Sequence, residues 1–250
     1  MRAENVMAAC HIHSSWSYDG KWSLEALAAD FGRRGYRILM MSEHDRGFTE
    51  SHRLEYREAC ARASSDKILV LPGIEYSDAS NIVHALVWGP VPFLGEGLPT
   101  GAVLEAARSA NGIAVLAHPS RRDAWRCYDS TWANGIVGIE LWNRKFDGWA
   151  PSQDASQLLN RTGALAFVGM DFHDRRQSLP LSMALDVQGH VTEELVLDCL
   201  RSRRCHASAF GIQLNENLLS GALPLLKAAE RSRSALASIY RRLRNTRAAS

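Results

Sequence analysis

The chain has 250 residues, of which 46% are hydrophobic and 22% charged, with a formal net charge of +2. That length suits one large α/β domain, and the near-neutral charge argues against a general polyanion-binding molecule. The five Cys are odd in number and form no Cys-x-x-Cys pair, which argues against a disulfide framework and predicts a reducing, cytoplasmic setting. Residues 1–5 precede no long apolar region, and no stretch reaches the length of a membrane span.

Residues 6–12 read as a strand. Ser23 is an expected N-cap before Leu24, Leu27, Ala28 and Phe31, which have helical spacing, and Gly35 closes that helix. A buried strand follows at 38–42, a helix at about 50–64, and strands at 68–71 and 82–88. Thr100 is expected to cap a helix to about 110, and Asn111-Gly112 turns into a strand at 113–117. Further strands are expected at 136–141, 165–170, near 182–187 and near 206–212, with helices at 152–162 and 192–203. This βα rhythm predicts a parallel sheet, closed or nearly closed into a barrel. The barrel is assigned to residues 1–215, and residues 216–250 to a basic helical extension of the same domain.

His11 and His13 lie at the end of the first strand, where a period of two puts both imidazoles on one side as a chelating pair. His44, Glu75, His118, and Asp171 with His173 each fall at or just after the end of a predicted strand. His84 lies inside the 82–88 run. A single His is more often a surface or core residue than a ligand. The set is different, because ligand-type residues at nearly every strand end converge on one barrel mouth. Buried carboxylates at Glu75 and Asp171 would need a cation or a hydrogen-bond network.

The motifs are specific. Residues 11–20, His-Ile-His-Ser-Ser-Trp-Ser-Tyr-Asp-Gly, resemble the first motif of the PHP (polymerase and histidinol phosphatase) family. Ser42-Glu43-His44-Asp45 resembles the second, and residues 71–75 with His84 the third. Ala117-His118-Pro119 and residues 169–174 resemble the remaining ones. The resemblance implies a distorted seven-stranded (β/α) barrel of the TIM-like type, with a C-terminal helix and three divalent ions, manganese, zinc or iron. It further implies that His11, His13, Glu75 and Asp171 hold the first ion. Glu75 would bridge to a second ion held by His84 and His118, and Asp19, His44 and His173 would hold the third. Asp19 stands where many relatives use His, and Glu43 where Asp is more usual.

The sequence offers no credible protein nucleophile, so hydroxide generated at the metals is the expected attacking group, with His11, His13, Glu75, His118, Asp171 and His173 carrying the chemistry. Phosphate ester hydrolysis suits such a site. Arg46, Arg121, Arg122, Arg175 and Arg176 each follow a ligand motif, and Arg46, Arg121, Arg122 and Arg175 are candidate phosphate contacts. Each alone is better explained as a solvated loop residue, but at least one is expected to contact substrate, Arg46 and Arg121 first. Asp45 and Asp174 are candidate acceptors for an imidazole N–H, or turn residues. Trp142 and Asn143 are expected at the mouth. Trp125, Trp132 and Trp149 are candidates with Trp142 for a sugar or base platform, against ordinary burial. Residues 223–247 predict a helix starting at Pro224, with Leu225, Ala229, Ser232, Leu236, Ile239 and Leu243 as a narrow seam. Docking of that helix on the barrel is favoured over a homo-oligomer contact or a polyanion-binding arm. The expected function is hydrolysis of a small-molecule phosphate ester, of a nucleotide, sugar or amino alcohol. Hydrolysis of an amide, carbamate or lactone, or cleavage of short oligonucleotides, are the alternatives.

Overall fold

The first βα unit forms where local chemistry dictates it. β1 (Val6–Ile12) leads to α1 (Leu24–Arg33), whose first turn is closed by the Ser23 hydroxyl accepting from the Ala26 amide at 3.2 Å. Gly35 follows the helix with φ +89°, a conformation that side chains resist. Leu24, Leu27, Ala28 and Phe31 face inward, as their spacing requires. The computed structural model describes residues 5–247, with side chains for all of these except 216–220 and 237–247.

The remaining elements are β2 (Ile38–Met41), β3 (Glu43–His44), α2 (Glu50–Ala63), β4 (Leu69–Leu71), β5 (Gly73–Ser77), β6 (His84–Trp88), α3 (Thr100–Ser109) and β7 (Ile113–Ala117). They continue with β8 (Gly138–Asn143), α4 (Arg144–Asp147), α5 (Gln153–Thr162), β9 (Leu165–Gly169), β10 (Leu181–Leu185), α6 (Glu193–Arg201), β11 (Cys205–Ala209), β12 (Ile212–Gln213) and α7 (Glu216–Arg247). Thr49, Ser152 and Thr192 cap α2, α5 and α6 through their hydroxyls. Thr100, expected as a cap, is instead the first helical residue after Pro99.

The strands form two six-stranded sheets, ordered β12-β11-β10-β1-β2-β4 and β3-β5-β6-β7-β8-β9. One residue separates β2 from β3 (Ser42) and β4 from β5 (Pro72), so two chain runs pass from the first sheet into the second. At another margin, the amide of Met170 donates to Cys10 O, Phe172 to His11 O, and His13 to Phe172 O, each at 3.0 Å. One hydrophobic cluster packs α1, α2, α3 and α5 against the strands. A second is shared by strands of both sheets and α6. Among the described residues, no helix is long and apolar enough to cross a membrane.

Three features depart from the sequence expectation. β5 is absent from the expected strands: the strand at 68–71 ends before Pro72, and extended pairing resumes at once from Gly73. The sheets are not wholly parallel. β6 runs antiparallel to β5 and β7, and β10 antiparallel to β1 and β11. For β5 and β6 the reason is the short turn between them, closed by Asp78, which leaves no room for a crossover. In α7, Pro224 lies inside the helix instead of starting it.

The expected seam of α7 is also not its docked face. Leu225 and Leu236 are 75% and 67% exposed. Contact is made instead by Leu226, packed on the second cluster, by Lys227 bonded to Gln153, and by Glu230, which accepts from the Trp149 amide at 2.9 Å. Apolar spacing identified a stripe, but those contacts decide which face has a partner. The side chains of Ile239 and Leu243 lie outside the described residues.

Gly73 shows how tightly the strand crossover is packed. A Cβ there would lie 2.3 Å from Trp88 Cδ1 and 2.5 Å from Met41 O. The Trp88 indole N–H donates to that same carbonyl at 2.7 Å, so it cannot retreat without breaking the bond. Gly73→Ala should therefore cost about 1–3 kcal/mol, read by urea denaturation. A change below about 0.5 kcal/mol, the scale of an ordinary surface substitution, would show that Trp88 repacks freely.

Candidate metal centre

A β-bulge sets the first pair. Register along β1 pairs Cys10 with Met40 and Ile12 with Met41, leaving His11 as the extra residue, with φ +60°. Ala8 and Cys10 belong to the second cluster, whereas Ala9 and Ile12 belong to the first. Strict alternation would have put Ile12 on the side of Cys10. The bulge re-aims this stretch, bringing the His11 and His13 rings to 5.2 Å of each other, tilted. His118 and Asp171 also have positive φ, +26° and +49°. Such backbone is costly, and three of the ligand-type residues carry it.

The pairing of β1 with the segment after β9 carries Asp171 and His173 beside His11 and His13. β3 pairs in parallel with β5, so His44 lies opposite Glu75. His84 opens β6 and pairs with Ser77 and Ala117. Because β6 runs the other way, its first residue lies where the strands beside it end. That is why His84 joins the set although it was read from inside a strand.

Glu75 is the centre of the arrangement and is 1% exposed. Its carboxylate lies 2.7 Å from His84 Nδ1, 2.9 Å from His118 Nε2, 3.1 Å from His44 Nδ1, and 3.5 Å from Nε2 of both His11 and His13. Asp171 lies 3.7 Å from His13, 3.9 Å from His118 and 4.0 Å from His11. Asp19 reaches His173 Nε2 at 3.1 Å and His44 Nε2 at 3.3 Å. His13 stacks on His173 with centroids 4.1 Å apart. Three overlapping donor sets result among the described residues: His13, His44 and His173; His11, Glu75 and His118; and His11, His13 and Asp171. In each, the donor atoms lie within 4.8 Å of one another.

These residues fit divalent cations. His11 Nε2 and His13 Nε2 are buried without a hydrogen-bond partner, and so are His44 Nε2, His173 Nε2 and Asp19 Oδ1, whose approaches to one another lack hydrogen-bond geometry. Orphaned polar atoms are costly. Here they collect at one place and belong to ligand-type groups. The opposite ring nitrogens are engaged. His11 Nδ1 is 2.9 Å from Glu140, His173 Nδ1 is 3.0 Å from Asp171 O, and His84 Nε2 is 2.7 Å from Asn81 Oδ1. Such outward bonds select the tautomer that presents a lone pair to a metal.

Electrostatics agree with crowding of unlike charges. Burial and then the neighbouring His44 and His173 keep the His13 pKa well below the usual imidazole value. Burial opposes charge on His44 too, but Asp19 and Glu75 outweigh it and hold that pKa at about 10. Burial would raise Glu75, yet the imidazoles of His11 and His84 hold it well below the usual carboxylate range.

Several important residues were not picked out from the sequence. Glu140 is fully buried and accepts from His11 Nδ1, from the His118 amide at 2.7 Å and from Asn143 Nδ2 at 2.9 Å. A carboxylate inside the apolar run Ile139-Glu140-Leu141-Trp142 was the available signal. Asn81 and Lys145, which lies 2.9 Å from Asp171 Oδ1, gave no motif signal. Glu43 accepts from the Ser14 amide and from the hydroxyls of Ser14 and Ser17, and so holds the loop between His13 and Asp19.

The remaining candidates scatter. Arg121 and Arg122 both donate to Asn81 O, at 2.8 and 3.2 Å, and Arg121 lies near His84. Arg46 sits 5.7 Å over the Tyr18 ring, which stacks on His44. Arg175 is turned towards α1, 4.8 Å over Trp22 and 3.7 Å from Asp30. Trp142 is buried in the second cluster and donates to Gly148 O, away from the open mouth, because its strand position faces the core. Asn143 is buried as the cap of α4. Trp125 and Trp132 pack on the first cluster, and exposed Trp149 pairs with Arg233 of α7, so the four Trp form no common platform. Asp45 accepts from the Ser77 amide, and Asp174 caps the turn Arg175–Gln177.

No family model matches the chain, and no curated protein matches it. Its likeness is to solved structures. A two-domain protein from Bacteroides vulgatus containing a predicted PHP-like metal-dependent phosphoesterase superposes with a TM-score of 0.62 at 16% identity, over 86% of this chain and 68% of that one. PsfC from Pseudomonas syringae gives 0.60 at 15%, over 93% and 99%. A lesion-specific endonuclease from Pyrococcus furiosus gives 0.55 at 16%, over 79% of this chain and 56% of that one. The chain therefore has the fold of PHP-like metal-dependent phosphoesterases.

Proposed function

We propose that this protein is a metal-dependent hydrolase acting on phosphate esters of small molecules. One observation carries the reading: three overlapping donor sets share buried, otherwise unpartnered imidazole nitrogens at a single mouth. We read the two sheets as a distorted seven-stranded barrel around that mouth. His11, His13, Glu75 and Asp171 would hold one cation, Glu75, His84 and His118 a second, and Asp19, His44 and His173 a third. Manganese, zinc and iron all suit these donors. Bound divalent cations would acidify water and draw charge from phosphoryl oxygens.

The chain's own residues supply the rest. Glu140 and Asn81 orient His11 and His84. Arg121 stands beside His84 with its guanidinium 5.7 Å over the Phe146 ring, where it can meet the non-reacting oxygens of a phosphate. The test is to strip the protein with a chelator, reload manganese, zinc or iron, and assay p-nitrophenyl phosphate, bis(p-nitrophenyl) phosphate, an amide, a carbamate and a lactone. Metal-dependent cleavage of a phosphate ester is expected. Cleavage confined to the carbon esters or amides would replace this reading with the non-phosphate one.

Arg121→Ala should raise KM for the phosphate ester about tenfold with a smaller change in kcat, the loss expected of one charge-assisted contact. Steady-state kinetics on the metal-loaded variant measure this. An unchanged KM would leave Arg121 a brace for Asn81 only.

A further inference from the structure

We propose that Lys145 contacts the substrate's phosphoryl group directly, an inference that rests on the phosphate reading above. Lys145 lies in α4, a single turn placed straight after β8. The turn is fixed from both ends. The Asn143 side chain accepts from the Lys145 and Phe146 amides at 3.1 and 3.2 Å and donates to Glu140 at 2.9 Å. The Asp147 carboxylate accepts from the Asn143 amide at 2.7 Å and from the Ser120 hydroxyl at 2.5 Å. The same scaffold that orients His11 therefore sets the base of Lys145, and it ties α4 to the loop that follows His118.

From that base the ammonium reaches inward to within 2.9 Å of Asp171 Oδ1. The Asp171 side chain is 2% exposed and the Lys145 side chain 32%, so Nζ sits at the boundary between the donor clusters and the open mouth. An ammonium has three donors, and Asp171 occupies one. The other candidate cations have partners of their own: Arg121 and Arg122 donate to Asn81, Arg175 meets Asp30 and Trp22, and Arg46 lies over the Tyr18 ring. Lys145 and Arg121 lie 5.5 and 5.7 Å from the same Phe146 ring, whose centroid is 4.8 Å from that of His118. A phosphoryl group held against His118 and Asp171 would thus meet the Lys145 ammonium as a point charge, with Arg121 flanking it.

The test is calorimetric titration of inorganic phosphate into manganese-loaded wild type, Lys145→Met and Lys145→Arg, with bound metal measured on each. Lys145→Met should keep wild-type metal content and bind phosphate at least tenfold more weakly, and Lys145→Arg should recover part of the loss. Equal phosphate affinity in Lys145→Met, or a wild type that does not bind phosphate, would overturn the proposal. So would loss of metal in Lys145→Met with unchanged phosphate affinity in the loaded fraction, since Lys145 would then serve Asp171 alone. If phosphate binding falls as expected but wild type cleaves no phosphate ester, the proposed function fails and Lys145 is left as a phosphate-binding residue without a substrate role.

Discussion

Glu75→Ala is expected to lower metal-dependent turnover at least a thousandfold, a loss on the scale of removing a central electrostatic group from an active site. One buried carboxylate lies within 3.5 Å of ring nitrogens from His11, His13, His44, His84 and His118. Those rings come from four separate segments: β1, β3, β6 and the loop after β7. No other described carboxylate touches as many of them, and Asp171 approaches three of the same rings only at 3.7–4.0 Å. Without Glu75 the donor sets lose their shared member, and mutual repulsion among the imidazoles is no longer balanced. Elemental analysis of the purified variant should show less bound metal, alongside lost turnover and a retained circular dichroism spectrum. Wild-type metal content with wild-type turnover would remove Glu75 from the centre of the account.

The second large effect is expected from Gly169→Ala, which adds only a methyl group. Its Cβ would stand 1.7 Å from Glu140 Oε1, 2.8 Å from Glu140 Cδ and 3.0 Å from His11 Cβ. Glu140 cannot turn aside cheaply. Its two oxygens already receive His11 Nδ1, the His118 amide and Asn143 Nδ2, and all of these are buried. Displacing it leaves buried donors unpaired, at about 1–3 kcal/mol each, added to the overpacking strain of about 1–3 kcal/mol. Counting only the donor on the displaced Oε1, His11 Nδ1, stability should fall by about 2–6 kcal/mol, and metal affinity by about tenfold or more, since His11 loses the partner that orients it. Denaturant titration and metal titration measure the two. A stability change within about 0.5 kcal/mol, the range of neutral surface substitutions, would show that Glu140 has somewhere else to go.

Much of the candidate site was legible in the chain because ligand chemistry demands particular residue types at strand ends. His11, His13, His44, Glu75, His118, Asp171 and His173 were singled out that way, His84 from inside a predicted strand, and Asp19 by resemblance to PHP motifs. The structure brings all nine together. What escaped depends on three-dimensional pairing. Periodicity carries no strand direction, so the antiparallel course of β6 could not be read, although it explains the place of His84. The bulge at His11 likewise has no signature in residues 6–13. Lys145 was invisible because a Lys after a strand is commonplace. The fixing of α4 by Asn143 and Asp147 sets the turn from which it reaches Asp171. On α7 the apolar spacing was real, but the docked face follows Leu226 and Glu230, which that spacing did not include.

The central claim is that these converging side chains hold divalent cations which make the protein a phosphate ester hydrolase. The most direct measurement titrates manganese into chelator-stripped wild type and the His11→Ala variant while following p-nitrophenyl phosphate hydrolysis and bound metal together. Wild type should regain turnover in proportion to metal bound, and His11→Ala should bind less metal and stay inactive at every manganese concentration. Wild type that binds no metal, or that hydrolyses the ester equally well without it, would contradict the account.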